Sequence, residues 1–257
     1  MSKKLKYKMD KEEGTSLYRI IALRDIHNKN SLVENRQALM IKKGEIGGLI
    51  EKAENLSQDG ECWITSFASV IDNAVVSGNA IVGGNSKVIH SAIVTENSVV
   101  SEKVVIGGQA VIMGNAKVRG NVLVSGNAIV SGNAIVEGNS IIKDAVTVTD
   151  NARIFCNAIV GGKSKILEQA IISGRAEISG NAIISGEAHI HGEAEITGNA
   201  KIDGNSNIYG IIKIDRTPEK NENKDKESID NKIKEAISIL KNNGYKIYKK
   251  TEEWKEI

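Results

Sequence analysis

The run VSGNAIVSGNAIVEGNS, residues 124–140, repeats one six-residue unit: aliphatic, polar, Gly, Asn, small, and a sixth residue. The same phase extends outward in both directions. Every sixth position from 64 to 214, twenty-six in all, is Ile or Val. Four residues after each of these up to Ile208 comes Ala or Ser, and only Val104, Val122, Val146 and Ile212 are larger there. A period of six is neither the 3.6 of a helix nor a plain alternation. It fits a short strand with one inward aliphatic residue, a bend, and a small inward residue at the corner. Three such sides make an 18-residue coil, and successive coils stack as parallel strands about 4.8 Å apart. Residues 64–214 therefore predict an all-β parallel β-helix of roughly eight coils, a rod about 40 Å long by that spacing.

The residue types agree with their places. Ile and Val are β-branched and stiff and suit the inward strand site. The Gly–Asn pair between them suits a sharp bend, where one residue takes a positive φ. Asn79, Asn97, Asn115, Asn133 and Asn151 are spaced by 18 and should stack on one edge as an amide ladder.

The unbroken aliphatic–x–x–x–small–x run resembles the hexapeptide-repeat, left-handed β-helix family of bacterial acyltransferases. It departs from that pattern in placing Gly two residues after the aliphatic residue instead of directly after it. GEIGGLIEKAENLSQDGECWI, residues 44–64, resembles the lead-in of the YdcK-like, prophage-associated branch, where a similar run opens onto the repeats. The resemblance covers about residues 15–214. It implies a left-handed coil, a homo-oligomer of three copies, and for the transferases an acyl-CoA donor with a His base near a loop that leaves the coil.

Composition narrows the classes further. The 257 residues carry 34 Lys+Arg against 32 Asp+Glu, a formal charge of +2, so a protein built to grip a phosphate backbone is not expected. Two cysteines, Cys62 and Cys156, are too few for a disulfide framework and suit a reducing, cytoplasmic setting. The first residues contain no apolar signal region, and no apolar run is long enough to span a bilayer, so no membrane partner is expected.

Outside the repeat the chain changes character. Residues 1–13 read as a charged tail, and 14–63 as an N-terminal cap over the first coil, with a strand in 15–26. Residues 215–227, with the only proline, Pro218, read as a flexible linker. Residues 228–257 read as a short helix and strand: Ser228 as N-cap, then Ile229, Ile233, Ala236, Ile237 and Leu240 on one stripe, Gly244 as the stop, and a strand from Tyr245.

Catalytic candidates are sparse. No insertion breaks the phase, so no active-site loop is encoded between 64 and 214. His90 stands at a corner with Asp72 one coil earlier on the same edge, where a carboxylate beside an imidazole would orient a base. A solvated edge pair is the competing reading. His189 and His191 flank inward Ile190 and both point outward, but no third His lies near them, so no metal set is read. Cys156 lies at a corner without an evident activating neighbour. The corner glycines match no phosphate-binding pattern, and no cofactor is expected.

The outward positions say more about partners. Val75, Ile93, Val111 and Ile129 line one face, and Val105, Leu123, Ile141 and Ile159 line the next. The third face is interrupted by Lys117 and Arg153. Aliphatic stripes of this length seldom face water, so burial against another copy of the chain is expected unless the two ends fold back over them. Three functional readings follow: a non-catalytic scaffold or binding protein, phage- or prophage-borne by the resemblance; an acyltransferase of the hexapeptide type; and sequestration of a small molecule or inhibition of a host protein in grooves between copies.

Overall fold

The computed structural model describes residues 5–31, 38–65, 67–216, 248–249 and 255–256. Five strands come first: β1 (Tyr7–Lys11), β2 (Tyr18–Ala22), β3 (Ile26–Asn28), β4 (Leu39–Ile41) and β5 (Ile46–Ile50). A 3₁₀ turn, Ala53–Asn55, leads into twenty-six short strands, β6 (Trp63–Ile64) to β31 (Lys213–Arg216), spaced six residues apart. Each contains one of the Ile or Val sites read from the sequence.

These strands form three parallel sheets in which every partner is 18 residues away, as in Val76↔Val94, Val94↔Ile112 and Ile112↔Val130. The chain is a left-handed β-helix of about 9 turns. The first sheet has twelve strands, the second eight and the third nine. Ladder bonds are short and regular: the Ile93 N–H donates to the Ala110 carbonyl at 2.9 Å, and the Thr95 N–H to that of Ile112 at 2.9 Å. From Ile64 to Ile196 the inward Ile and Val side chains are fully buried, as are the Ala and Ser at the corners. Burying each such Ile or Val stabilises the rod by about 1.5–3 kcal/mol. Val104, Val122 and Val146 are buried too, so the corner tolerates a Val at intervals.

Buried corner serines are satisfied by reaching back three residues. Ser98 Oγ donates to the Thr95 carbonyl (2.7 Å), Ser140 Oγ to that of Glu137 (2.8 Å) and Ser164 Oγ to that of Gly161 (2.7 Å). Among the described residues, Ser86 Oγ is buried with no partner.

The bends take a left-handed backbone two residues after the aliphatic sites from Val70 to Ile208. Most are Gly, such as Gly114 with φ 72°, where an added Cβ would stand 2.8 Å from the Gly132 nitrogen one coil on. The edge ladder forms as read: Asn79, Asn97, Asn115, Asn133 and Asn151 bond amide to amide at 3.0, 3.3, 3.0 and 3.1 Å.

The N-terminal residues extend the rod. β1 pairs antiparallel with β2, β2 antiparallel with β5, and β5 parallel with the strand Ser69–Val70, so the first sheet begins with three cap strands. Gly47 and Gly48 permit this close approach, since a Cβ on Gly48 would lie 2.3 Å from Ile64 Cγ2. Two readings of the ends change. Residues 7–11, assigned to a charged tail, form β1, because Tyr7 and Lys6 have buried places to fill. At the other end Asp215 and Arg216, assigned to a linker, continue β31 against Thr197 and Gly198. Pro218–Ile257 is a second compact unit, whose described residues are an antiparallel pair, β32 (Tyr248–Lys249) and β33 (Lys255–Glu256). The helix read at 228–240 lies outside the described residues.

Candidate functional site

His90 and Asp72 do come together, but the backbone mediates their contact. Both sit at left-handed corners, with φ 61° and 57°. Asp72 Oδ2 accepts from the backbone N–H of His90 at 2.8 Å, and His90 Nδ1 in turn accepts from the Gly108 N–H at 3.2 Å. The ring's Nδ1 lone pair is thus occupied by an amide, and the remaining ring nitrogen carries the proton of the neutral form. The same device recurs where no base is needed: Glu96 accepts from Gly114, Asp144 from Gly162, Asp150 from Glu168, and Glu168 from Gly186. At these left-handed corners the side chain lies over the next coil and caps its amide. His90 and Asp72 belong to that series.

Of the other candidates, Cys156 is exposed at a corner and Cys62 is buried. Burial pushes the Cys62 thiol up, against the opposing influence of Lys6, whose Nζ is 3.0 Å from the sulfur. Lys6 Nζ also reaches the Asp59 and Gly60 carbonyls at 3.4 Å, so it closes the open end of the first coil much as a further turn of backbone would. A shallow groove of roughly 470 Å³ runs along one edge between Gly84, Asn85, Glu102, Lys103, Gly120, Asn121, Gly138 and Asn139. Its lining has one carboxylate and one ammonium, and no nucleophile. Among the described residues no group of three His, Cys, Asp or Glu side chains converges on a common point. Among the described residues no helix is long and apolar enough to cross a membrane.

The aliphatic stripes run along two of the three sheets. Val105, Leu123, Ile141 and Ile159 are register neighbours on the first sheet, and Val75, Ile93, Val111 and Ile129 on the second. Ile93, Leu123 and Ile129 are 37–38% exposed, and the other five are half-buried by their neighbours. From Val75 to Thr149 the outward residues flanking the second sheet's inward sites include no charge: Ser77, Thr95, Met113 and Ser131 stand beside the stripe. Ser77 and Thr95 hydroxyls bond at 2.8 Å, and those of Ser131 and Thr149 at 3.0 Å, so these polar groups satisfy one another from coil to coil. The described cap residues prolong the first sheet at its end and leave both stripes open. The third sheet is different. Outward Trp63, Ile81 and Val99 are buried near the N-terminal end, and beyond them Arg119, Glu137 and Arg153 form an ion-paired cluster.

A scan against protein-family models finds no match for this chain, and a search of the curated proteins finds none either.

Sequence reading missed two arrangements. Lys6, Asn28 and Asn55 are fully buried cap residues whose contacts carry no local signature. The second is the juxtaposition of Asn207 and Tyr209 with the two outward histidines, which shifting the sequence by 18 would have disclosed.

Proposed function

We propose that the chain is a non-catalytic β-helical scaffold that associates side by side with copies of itself through the first and second sheets. The observation that carries this reading is a pair of adjacent aliphatic stripes, left open by the described cap residues, on a rod from which no loop departs between residues 69 and 214. Three copies is the number that the hexapeptide resemblance implies; the burial rests on the stripes. Corner hydrogen bonding supports a structural role for His90, the one histidine on the edge between these two sheets.

Light scattering on the purified chain tests the reading. The expected mass is a multiple of 27.6 kDa, and Ile93→Lys with Val111→Lys should reduce it to a single chain by burying two unpaired charges in the seam. A wild-type mass of one chain would overturn association, and an oligomeric double variant would overturn the choice of face. Acyl-CoA titration addresses the transferase alternative: a saturable rise in melting temperature would favour it over a scaffold.

A further inference from the structure

Near the end of the third sheet four side chains occupy neighbouring outward positions on two successive coils. His189 and His191 flank buried Ile190, so both stand on the same side of one strand. One coil on, Asn207 pairs in register with His189, and the Tyr209 ring stacks on His191 with centroids 5.5 Å apart and planes 13° from parallel. Asn207 Oδ1 lies 3.1 Å from His191 Nε2. Both His189 and Asn207 are exposed, and among the described residues no hydrogen bond or ion pair holds the His189 ring.

We infer that His189, His191 and Asn207 form an open clamp for one divalent transition-metal ion, with two imidazole nitrogens and one amide oxygen as donors and solvent in the remaining positions. Imidazole donors select Cu(II), Ni(II) and Zn(II) over Ca(II) and Mg(II). Two neighbouring ligands about 2.0–2.2 Å from such an ion and roughly at right angles stand about 3 Å apart, which is the separation already held between His191 and Asn207. On binding, the ion takes the place of the shared proton: that proton moves to Nδ1 of the same neutral ring, and Nε2 and Oδ1 both turn to the metal. Stacking on Tyr209 fixes the His191 ring plane, the part that an outer-shell contact plays at a metal centre. With only two imidazoles the clamp is weaker than a closed structural zinc site and leaves open positions for an exogenous ligand.

The test uses the untagged full chain carrying Cys156→Ser, which keeps an exposed thiol away from the metal. Titration calorimetry with CuCl₂, NiCl₂ and ZnCl₂ should give one equivalent, with Cu(II) bound more tightly than Ni(II) or Zn(II). Electron paramagnetic resonance of the Cu(II) form should show coupling to two imidazole nitrogens. His189→Ala and His191→Ala should each weaken binding at least roughly tenfold, and Asn207→Ala by several-fold. His27→Ala and His90→Ala should bind as the parent does. All these side chains but His191 are exposed, and circular dichroism verifies that each variant keeps the β-helix. The proposal is overturned if no saturable equivalent binds, or if the folded His189→Ala and His191→Ala variants bind as tightly as the parent.

Discussion

At the residue scale the corners show how one backbone conformation is met by two chemistries. Gly enters the left-handed region freely; Asp, Glu and His enter it at a cost of about 1 kcal/mol or more and recover part of that by capping an amide one coil on. Asp144 illustrates the balance, with φ 64° and its carboxylate 2.9 Å from the Gly162 nitrogen. Asp144→Ala should lose about 1 kcal/mol because it keeps the strained backbone and removes the acceptor, while Asp144→Gly should be closer to neutral. Urea unfolding of the pair would separate the two contributions. The buried serines offer a sharper comparison. Ser86→Ala should be neutral or stabilising by about 1 kcal/mol, since it deletes an unpaired buried hydroxyl, whereas Ser98→Ala should destabilise by about 1 kcal/mol. Equal effects at the two sites would contradict the hydrogen-bond assignment.

The element that most needs explanation is the cap, because an open first coil would present unpaired backbone to other chains. Side chains supply much of the closure. The Tyr7 hydroxyl donates to the Leu56 carbonyl at 2.6 Å, and the Asn55 amide to those of Asp72 and Ala74 at 3.0 and 2.8 Å. Asn28 donates to the Glu61 and Asn79 carbonyls, both at 2.8 Å. Burial, with the nearby Cys62, pushes the Tyr7 phenol up to about 12 from 10.0. A phenol held protonated in the fold contributes stability that is complete below its unfolded value and is lost as pH rises through the folded one. Between about pH 10 and 12 the wild type should therefore lose stability more steeply than Tyr7→Phe. Parallel denaturant midpoints for the two proteins across that window would not occur if Tyr7 is placed as described. Below pH 9 the Phe variant should be weaker by about 1 kcal/mol, the worth of the lost hydrogen bond.

For the whole molecule, the fold repeats every six residues but the outer faces repeat every 18, and deletions can separate the two. Removing residues 91–108, one full coil, keeps the inward phase and both stripes, so the fold and the proposed association should survive. Removing residues 103–108 keeps the inward phase but rotates everything beyond it by one face. The second sheet would then run Val75, Ile93, Lys117, Ile135, Arg153 along its outer side. Circular dichroism should remain that of a β-helix for both deletions, and light scattering should find only the 18-residue deletion oligomeric. If the six-residue deletion unfolds, the hexad is not the independent packing unit that the burial of its Ile and Val sites indicates.

What the sequence determined by itself was the rod. The Ile/Val phase is a local demand repeated twenty-six times, and the small corners and Gly–Asn bends reinforce it, so each hexad states the same geometry and errors cannot accumulate. The Asn ladder and the two stripes followed from the same arithmetic, since a residue's neighbour is always 18 away. Only the tertiary structure decided what happens where that arithmetic stops or where a side chain chooses among partners. It drew Lys6 and Tyr7 out of an apparently charged tail, because burial and three carbonyl or sulfur contacts at the open coil outweigh the solvation of a lone lysine. It turned Asp72 from the His90 ring to the His90 amide, because a left-handed corner aims its side chain along the rod at the next N–H. It also set Asn207 against His191, the contact on which the metal clamp rests. A register of 18 makes two residues neighbours, but the rotamer and the competing hydrogen bond decide which atoms meet.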